Sequence, residues 1–151
     1  MITIFKIKVY NVPGVLDRIA GLFRHYGWNI DNLSAGEVER GVTQIKIIYR
    51  SRYVDENLLH DKIARMDYVQ SWEICRQETH IMRETVVLRI KEELCDPALL
   101  GKGKVLYRDG DMLLVECTDT PWKIEELLAS VEYVSCDRSG VIGIFKTEEA
   151  L

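Results

Sequence analysis

The feature that most restricts this chain is a change of hydrophobic period. From Ile2 to Tyr10 (ITIFKIKVY), Phe5, Ile7 and Val9 alternate with Ile4, Lys6, Lys8 and Tyr10. Period two marks a strand with one buried face. The turn signal Asn11-Val12-Pro13-Gly14 follows. Val15, Ile19, Leu22 and Phe23 then recur at helical spacing, with Leu16, Ala20 and Tyr26 alongside. Pro13 suits a helix start, Asp17 suits the positive end of the helix dipole, and Gly27 suits the stop. Trp28 to Glu39 reads as a strand bent at Gly36, and Arg40-Gly41 marks a hairpin into the strand Val42 to Arg50. Asp55 to Met66 carries Leu58, Leu59, Ile63 and Met66 on one helical stripe, and Val69 to Arg76 closes the set as a strand.

The order β-α-β-β-α-β predicts an antiparallel sheet with two helices on one face, the ferredoxin-like arrangement. A weaker echo follows. Arg83 to Lys91 reads as a strand, Val105 to Arg108 and Met112 to Cys117 as a hairpin around Asp109-Gly110-Asp111, Pro121 to Val131 as a helix, and Val141 to Lys146 as a strand. Pro121 fits a first turn with Thr120 or Asp119 as cap. The expected fold is therefore α+β: two tandem ferredoxin-like βαββαβ units, residues 1–78 and 79–151. In the second, Pro97, Gly101 and Gly103 leave room for two helical turns at most where the first helix belongs.

Composition narrows the function classes. A chain of 151 residues with 47% apolar and 29% charged residues has enough apolar side chains for a core. The net charge of −4 and the pI of about 5.4, without a basic stripe, argue against nucleic acid. No apolar run approaches the ~20 residues of a membrane span, and no export signal opens the sequence. Cys75, Cys95, Cys117 and Cys136 form no CxxC, and His25, His60 and His80 stand apart. Structural zinc sites and redox motifs use close pairs, so reduced thiols in a cytoplasmic protein are expected, with no metal site. No catalytic motif is present, and Asp17, Glu37 and Glu39 read as a solvated face rather than paired carboxylates.

Chemistry concentrates at Asn11 to Leu16. The first N–H groups of a helix lack intrahelical partners and favour an anion. Gly14 admits a ligand close to the backbone, and Asn11 offers both an acceptor and donors. Asn29, expected to begin the neighbouring strand at a similar height, offers the same. Val15 and Leu16 can exclude water around an aliphatic side chain. An amino-acid zwitterion suits these groups; so does an ordinary strand-to-helix turn with nothing bound.

The stretch VYNVPGVLDRIAGLFRHYGWNIDNLSAGEVE resembles the start of regulatory (small) subunits of acetolactate synthase. Their ACT domain carries N-x-x-G-V-L, R-x-x-G-L-F and R-G-x-N-I-x-S-L. The matching residues are Asn11, Gly14, Val15 and Leu16; Arg18, Gly21, Leu22 and Phe23; and Gly27, Asn29, Ile30 and Leu33. The resemblance returns at Arg83-Glu84-Thr85 and at Arg138-Ser139-Gly140-Val141-Ile142-Gly143. It implies a non-catalytic protein whose ACT domains pair edge to edge in a homodimer. It also implies that valine or a related branched-chain amino acid binds between the N-x-x-G-V-L loop of one copy and the N-I strand of the other. The ligand-binding residues so implied are Asn11, Val12, Pro13, Gly14, Val15, Leu16, Asn29 and Ile30. A catalytic large subunit is the implied partner, carrying thiamine diphosphate, Mg²⁺ and FAD; no cofactor is expected on this chain.

Three departures from the pattern stand out. The Gly36–Gly41 hairpin is short, Asn32 replaces Ser, and the second unit lacks most of a helix, which points to activation with weak feedback. Other readings are a stand-alone tandem-ACT amino-acid sensor with another target, a metal-responsive regulator, and a small-molecule enzyme. The scattered histidines and the lack of a basic arm weigh against the metal regulator, and the lack of a nucleophile or base weighs against the enzyme.

Overall fold

The computed structural model describes residues 2–95 and 103–146. The described residues divide into two compact units, one of residues 2–80 and 144–146, the other within Ile81–Gly143. In the first, β1 (Ile2–Tyr10), α1 (Val15–His25), β2 (Asn32–Glu39), β3 (Val42–Arg50), α2 (Glu56–Ile63) and β4 (Val69–Cys75) follow in order. The sheet order is β2-β3-β1-β4, so β1 is flanked on both sides and β2 and β4 are edges. Both neighbours of β1 run antiparallel to it, with Ile2 opposite Arg50 and Tyr10 opposite Val42.

Alternation in β1 and β3 puts Phe5, Ile7, Val9, Ile45, Ile47 and Tyr49 on the helix-covered face. Val15, Ile19 and Phe23 of α1 and Leu59 and Ile63 of α2 close over them. Helix α1 stops as Gly27 turns left-handed (φ +67°): its N–H donates to Arg24 O (3.1 Å) and that of Trp28 to Phe23 O (2.9 Å). This cap corrects the expected start of β2. Trp28 is committed to closing α1, and β2 begins only at Asn32. Helix α2 is also shorter than its apolar stripe. Asp55 caps it by accepting from Leu58 N–H (3.0 Å), but the N–H groups of Arg65 and Met66 bond three residues back rather than four.

The second sheet comprises β5 (His80–Lys91), β6 (Lys104–Asp109), β7 (Met112–Asp119) and β8 (Ser135–Phe145), in the order β6-β7-β5-β8, with helix α3 (Pro121–Ser130) between β7 and β8. The strand order matches that of the first sheet position by position. Its core joins Val86, Leu88, Ile90, Leu113, Val115 and Cys117 to Ile124 of α3. Two strands start well before their expected first residues. β5 starts at His80 because the buried alternation continues through His80, Met82 and Glu84. β8 starts at Ser135 because Arg138 satisfies its charge within the sheet, which hides the strand from a hydrophobic pattern. The expected cap of α3 takes a different form: Asp119 Oδ1 accepts from Thr120 N–H (2.7 Å), and the Thr120 hydroxyl makes no cap bond. Glu92–Leu94 form a 3₁₀ turn. The expectation for Pro97 and Gly101 lies outside the described residues.

Candidate functional site

The end of β1 feeds directly into the helix start. Tyr10 N–H is held by Tyr68 O and Asn11 N–H by Gly41 O, both at 2.9 Å, so the loop is fixed to the sheet before it turns. Gly14 occupies the N-cap at φ +80°, a conformation that disfavours any Cβ, and the space a Cβ would enter holds nothing within 4 Å. Val15 N–H closes on Val12 O (3.2 Å), and Arg18 N–H returns to Gly14 O (3.0 Å). Between them, with no side chain at Gly14, no cap covers the N–H groups of Leu16 and Asp17. Val12 and Leu16 flank the loop, each 38% exposed, while Val15 is buried in the core. Asn11 and Pro13 are exposed. The loop thus offers uncovered amides, a positive helix end and two aliphatic walls.

Asn29 and Ile30 stand elsewhere, which corrects the expectation of a similar height. Asp31 N–H bonds Ile48 O (2.8 Å), and Arg50 Nε lies 3.4 Å from Asp31 Oδ2, so this segment sits at the Ile2–Arg50 end of the sheet. The Asn11 loop sits at the Tyr10–Val42 end. Eight strand residues separate the two, roughly 25 Å at the usual rise. One chain does not bring them together. Ile30 packs against the core, and the exposed Asn29 donates from Nδ2 to Asp31 Oδ1 (2.9 Å), a bond that does not use its side-chain carbonyl oxygen. Asn29, Asp31, Arg50, Arg52 and Tyr53 line a cavity of about 290 Å³.

The carboxylates weighed in the sequence have surface roles: Glu37 accepts from Gly41 N–H (2.9 Å), and Glu39 pairs with Lys8 (3.5 Å). Two groupings were not legible beforehand. In the second unit, Glu84 is 2% exposed and takes both Nε (2.7 Å) and Nη2 (2.8 Å) of Arg138. Ser139 Oγ accepts from Thr85 N–H (3.1 Å). The hydrogen bond to Glu84 raises the Arg138 pKa further above its ordinary value. The Arg-Glu-Thr and Arg-Ser-Gly motifs are therefore two sides of one clamp between neighbouring strands.

In the first unit, Glu73, Cys75 and His80 converge, with one potential ligand atom from each within 4.8 Å of the others. Burial pushes the Cys75 thiol up to about 12, and burial also raises the thiols of Cys117 and Cys136. The sequence signal for this cluster is faint: Glu and Cys two apart on a strand, then His after a four-residue turn. Among the described residues, no helix is long and apolar enough to cross a membrane.

The comparisons with known proteins agree with one another. A model of the AHAS small subunit-like ACT domain matches residues 5–69. The probable acetolactate synthase small subunit of Methanothermobacter thermautotrophicus is 31% identical over 137 residues, covering 83% of this chain and 79% of that protein. The acetolactate synthase isozyme 3 small subunit of Escherichia coli is 23% identical over 163 residues, covering 98% of each chain. The crystal structure of the Thermotoga maritima acetolactate synthase small subunit has the same fold, with a TM-score of 0.81 at 17% identity over 97% of this chain and 98% of that one. With its two four-stranded sheets of matching strand order and its open Asn11–Leu16 loop, the chain belongs to the family of acetolactate synthase small subunits.

Proposed function

We infer that this chain is a non-catalytic regulatory subunit. It binds a branched-chain amino acid of the valine class between two copies of itself, and it activates and tunes a catalytic large subunit. The observation that carries this reading is the placement of the two half-sites at opposite ends of the sheet. β2 is an edge strand, and its Glu39 end lies beside Val42 and hence beside the Asn11 loop. Antiparallel pairing of β2 with β2 across a two-fold axis sets the Asn29 end of one copy against the Glu39 end of the other. Each Asn29–Ile30 segment then meets its partner's Asn11–Leu16 loop, and two equivalent sites form.

The chemistry of the two halves is complementary. The uncovered N–H groups of Leu16 and Asp17 suit a carboxylate, and the side-chain carbonyl of the exposed Asn29 suits an ammonium. Val12 and Leu16 suit an aliphatic side chain. A ligand that bridges two copies favours the paired arrangement, and a coupling of about 1–3 kcal/mol is enough to change a partner's activity several-fold or more. Thiamine diphosphate, Mg²⁺ and FAD belong, in this reading, to the large subunit. The competing stand-alone sensor predicts amino-acid binding without affinity for that subunit; relatives named small subunits along nearly the full length favour the first reading.

The test is calorimetric titration of the purified chain with valine, leucine and isoleucine, with sedimentation run in parallel. One ligand bound per chain and ligand-dependent strengthening of the dimer are expected. A folded chain that binds none of the three would overturn the ligand assignment. Saturable binding without any effect on the large subunit's activity would favour the sensor.

A further inference from the structure

Glu73 and Cys75 are two apart on β4, so both side chains lie on one face of the strand. The turn after β4 then folds back: the N–H groups of Thr79 and His80 both reach Arg76 O, at 3.1 and 2.8 Å. This brings His80 Nε2 to 2.6 Å from Glu73 Oε1, while Cys75 Sγ donates to the same oxygen at 3.5 Å. A separation of 2.6 Å places a shared proton between the carboxylate oxygen and the imidazole nitrogen; around a tetrahedral ion two such ligand atoms lie roughly 3.3 Å apart, so a metal would take the proton's place with a side-chain shift of under about 1 Å. Thiolate, imidazole and carboxylate are the three donor types that zinc-class ions select.

We propose that Glu73, Cys75 and His80 hold a divalent transition metal of the zinc class through Glu73 Oε1, Cys75 Sγ and His80 Nε2. The surroundings have the features such a site needs. His80 Nδ1 lies 2.7 Å from Thr79 Oγ1, whose hydroxyl reaches Arg76 O (3.4 Å), and accepts a longer bond from Arg76 N–H (3.4 Å) that gives way when Nδ1 carries the proton, so the second ring nitrogen has an orienting partner. Cys75 and His80 are buried, whereas the Glu73 side chain is 29% exposed and opens the cluster to solvent, which supplies the remaining coordination position. On binding, the thiol proton leaves to solvent, and the imidazole proton moves from Nε2 to Nδ1, where Thr79 Oγ1 accepts it. One proton is released per metal bound.

Lys6 sets the affinity. Its Nζ lies 3.4 Å from Glu73 Oε2, the oxygen that the metal does not use. The ammonium holds the cluster together without metal and repels an arriving divalent ion. Removing this charge is therefore expected to tighten metal binding, the opposite of what loss of a structural partner does.

The experiment titrates the full, reduced chain with Co²⁺ alone and follows the thiolate-to-cobalt charge-transfer band in the near ultraviolet. One equivalent should saturate the band, and Zn²⁺ should displace it. Cys75→Ser should abolish the band, and Lys6→Met should tighten binding on the order of tenfold. His80→Gln, the fallback if Cys75→Ser does not fold, should weaken binding by at least tenfold. A folded wild-type chain without a band at excess Co²⁺ would leave a hydrogen-bonded cluster only and overturn the proposal. A band of the same size in Cys75→Ser, or an unchanged affinity in Lys6→Met, would do the same.

Discussion

The two units share one strand order and use their motif residues in opposite ways. In the first, the motif Asn11–Leu16 is a loop whose polar groups are left open: Gly14 supplies no cap, and Leu16 and Asp17 keep uncovered amides. In the second, the motif residues Glu84, Thr85, Arg138 and Ser139 satisfy each other inside the sheet. The contrast separates two reasons for a residue to belong to a family pattern. Polar groups left open at a helix start imply something that arrives, whereas polar groups closed on each other imply a framework that holds. Substitution should therefore cost stability in the second unit and affinity in the first.

The strongest test of that contrast is Arg138→Ala. It leaves the Glu84 carboxylate buried without its bidentate partner. Breaking a buried pair costs about 3–5 kcal/mol, and the partial exposure of Arg138 (side chain 40%) places this case near the lower end. Urea unfolding should show a loss of about 3 kcal/mol, most of it recovered when Glu84→Met is added. An Arg138→Ala chain with wild-type stability would mean that the motif is not a clamp.

Gly14→Asp tests the other side. Asp tolerates the left-handed conformation better than most residues, so the fold should lose only about 1–2 kcal/mol. Amino-acid affinity should fall at least a hundredfold, because the new carboxylate occupies and repels the ligand's own place. Retained affinity would move the site away from this loop. Asn29→Ala should weaken binding about tenfold with unchanged unfolding. Mixing it with Gly14→Asp chains then sharpens the geometry. If each site takes its two halves from different copies, a heterodimer of the two variants keeps one site free of either change. Half the ligand stoichiometry at wild-type affinity is therefore expected in the purified heterodimer, and about a quarter in an equimolar, randomly re-paired mixture; a site built within one chain would give none at wild-type affinity.

Most of the first unit was legible because its alternation and helical stripes are unbroken: β1, β3 and α1 follow from Phe5, Ile7 and Val9 and from Val15, Ile19 and Phe23. What was not legible depends on partners remote in sequence. Arg138 reads as loop until Glu84, 54 residues earlier, neutralises it. The open geometry of the Asn11 loop was legible because it is local to a strand-helix junction. The position of Asn29 was not, since antiparallel strands carry it to the far end of the sheet. The meeting of Glu73 with His80 depends on a turn that composition does not signal.

The smallest expected effect sharpens the comparison within the first unit itself, between its two helix starts. Asp55 caps α2 through Leu58 N–H, whereas α1 has Gly14 and no cap. Asp55→Ala removes a cap bond worth about 1 kcal/mol and should lower stability by that amount in urea unfolding. Valine affinity should not change, because α2 starts from a helix end whose amide is already satisfied within the chain. An Asp55→Ala chain that lost affinity in step with stability would mean that valine binding reports the whole unit's integrity rather than the open amides of α1. An unchanged affinity beside a 1 kcal/mol loss places the recognition at the uncapped helix, since the two helix starts lie in one unit and differ in whether their amides are covered.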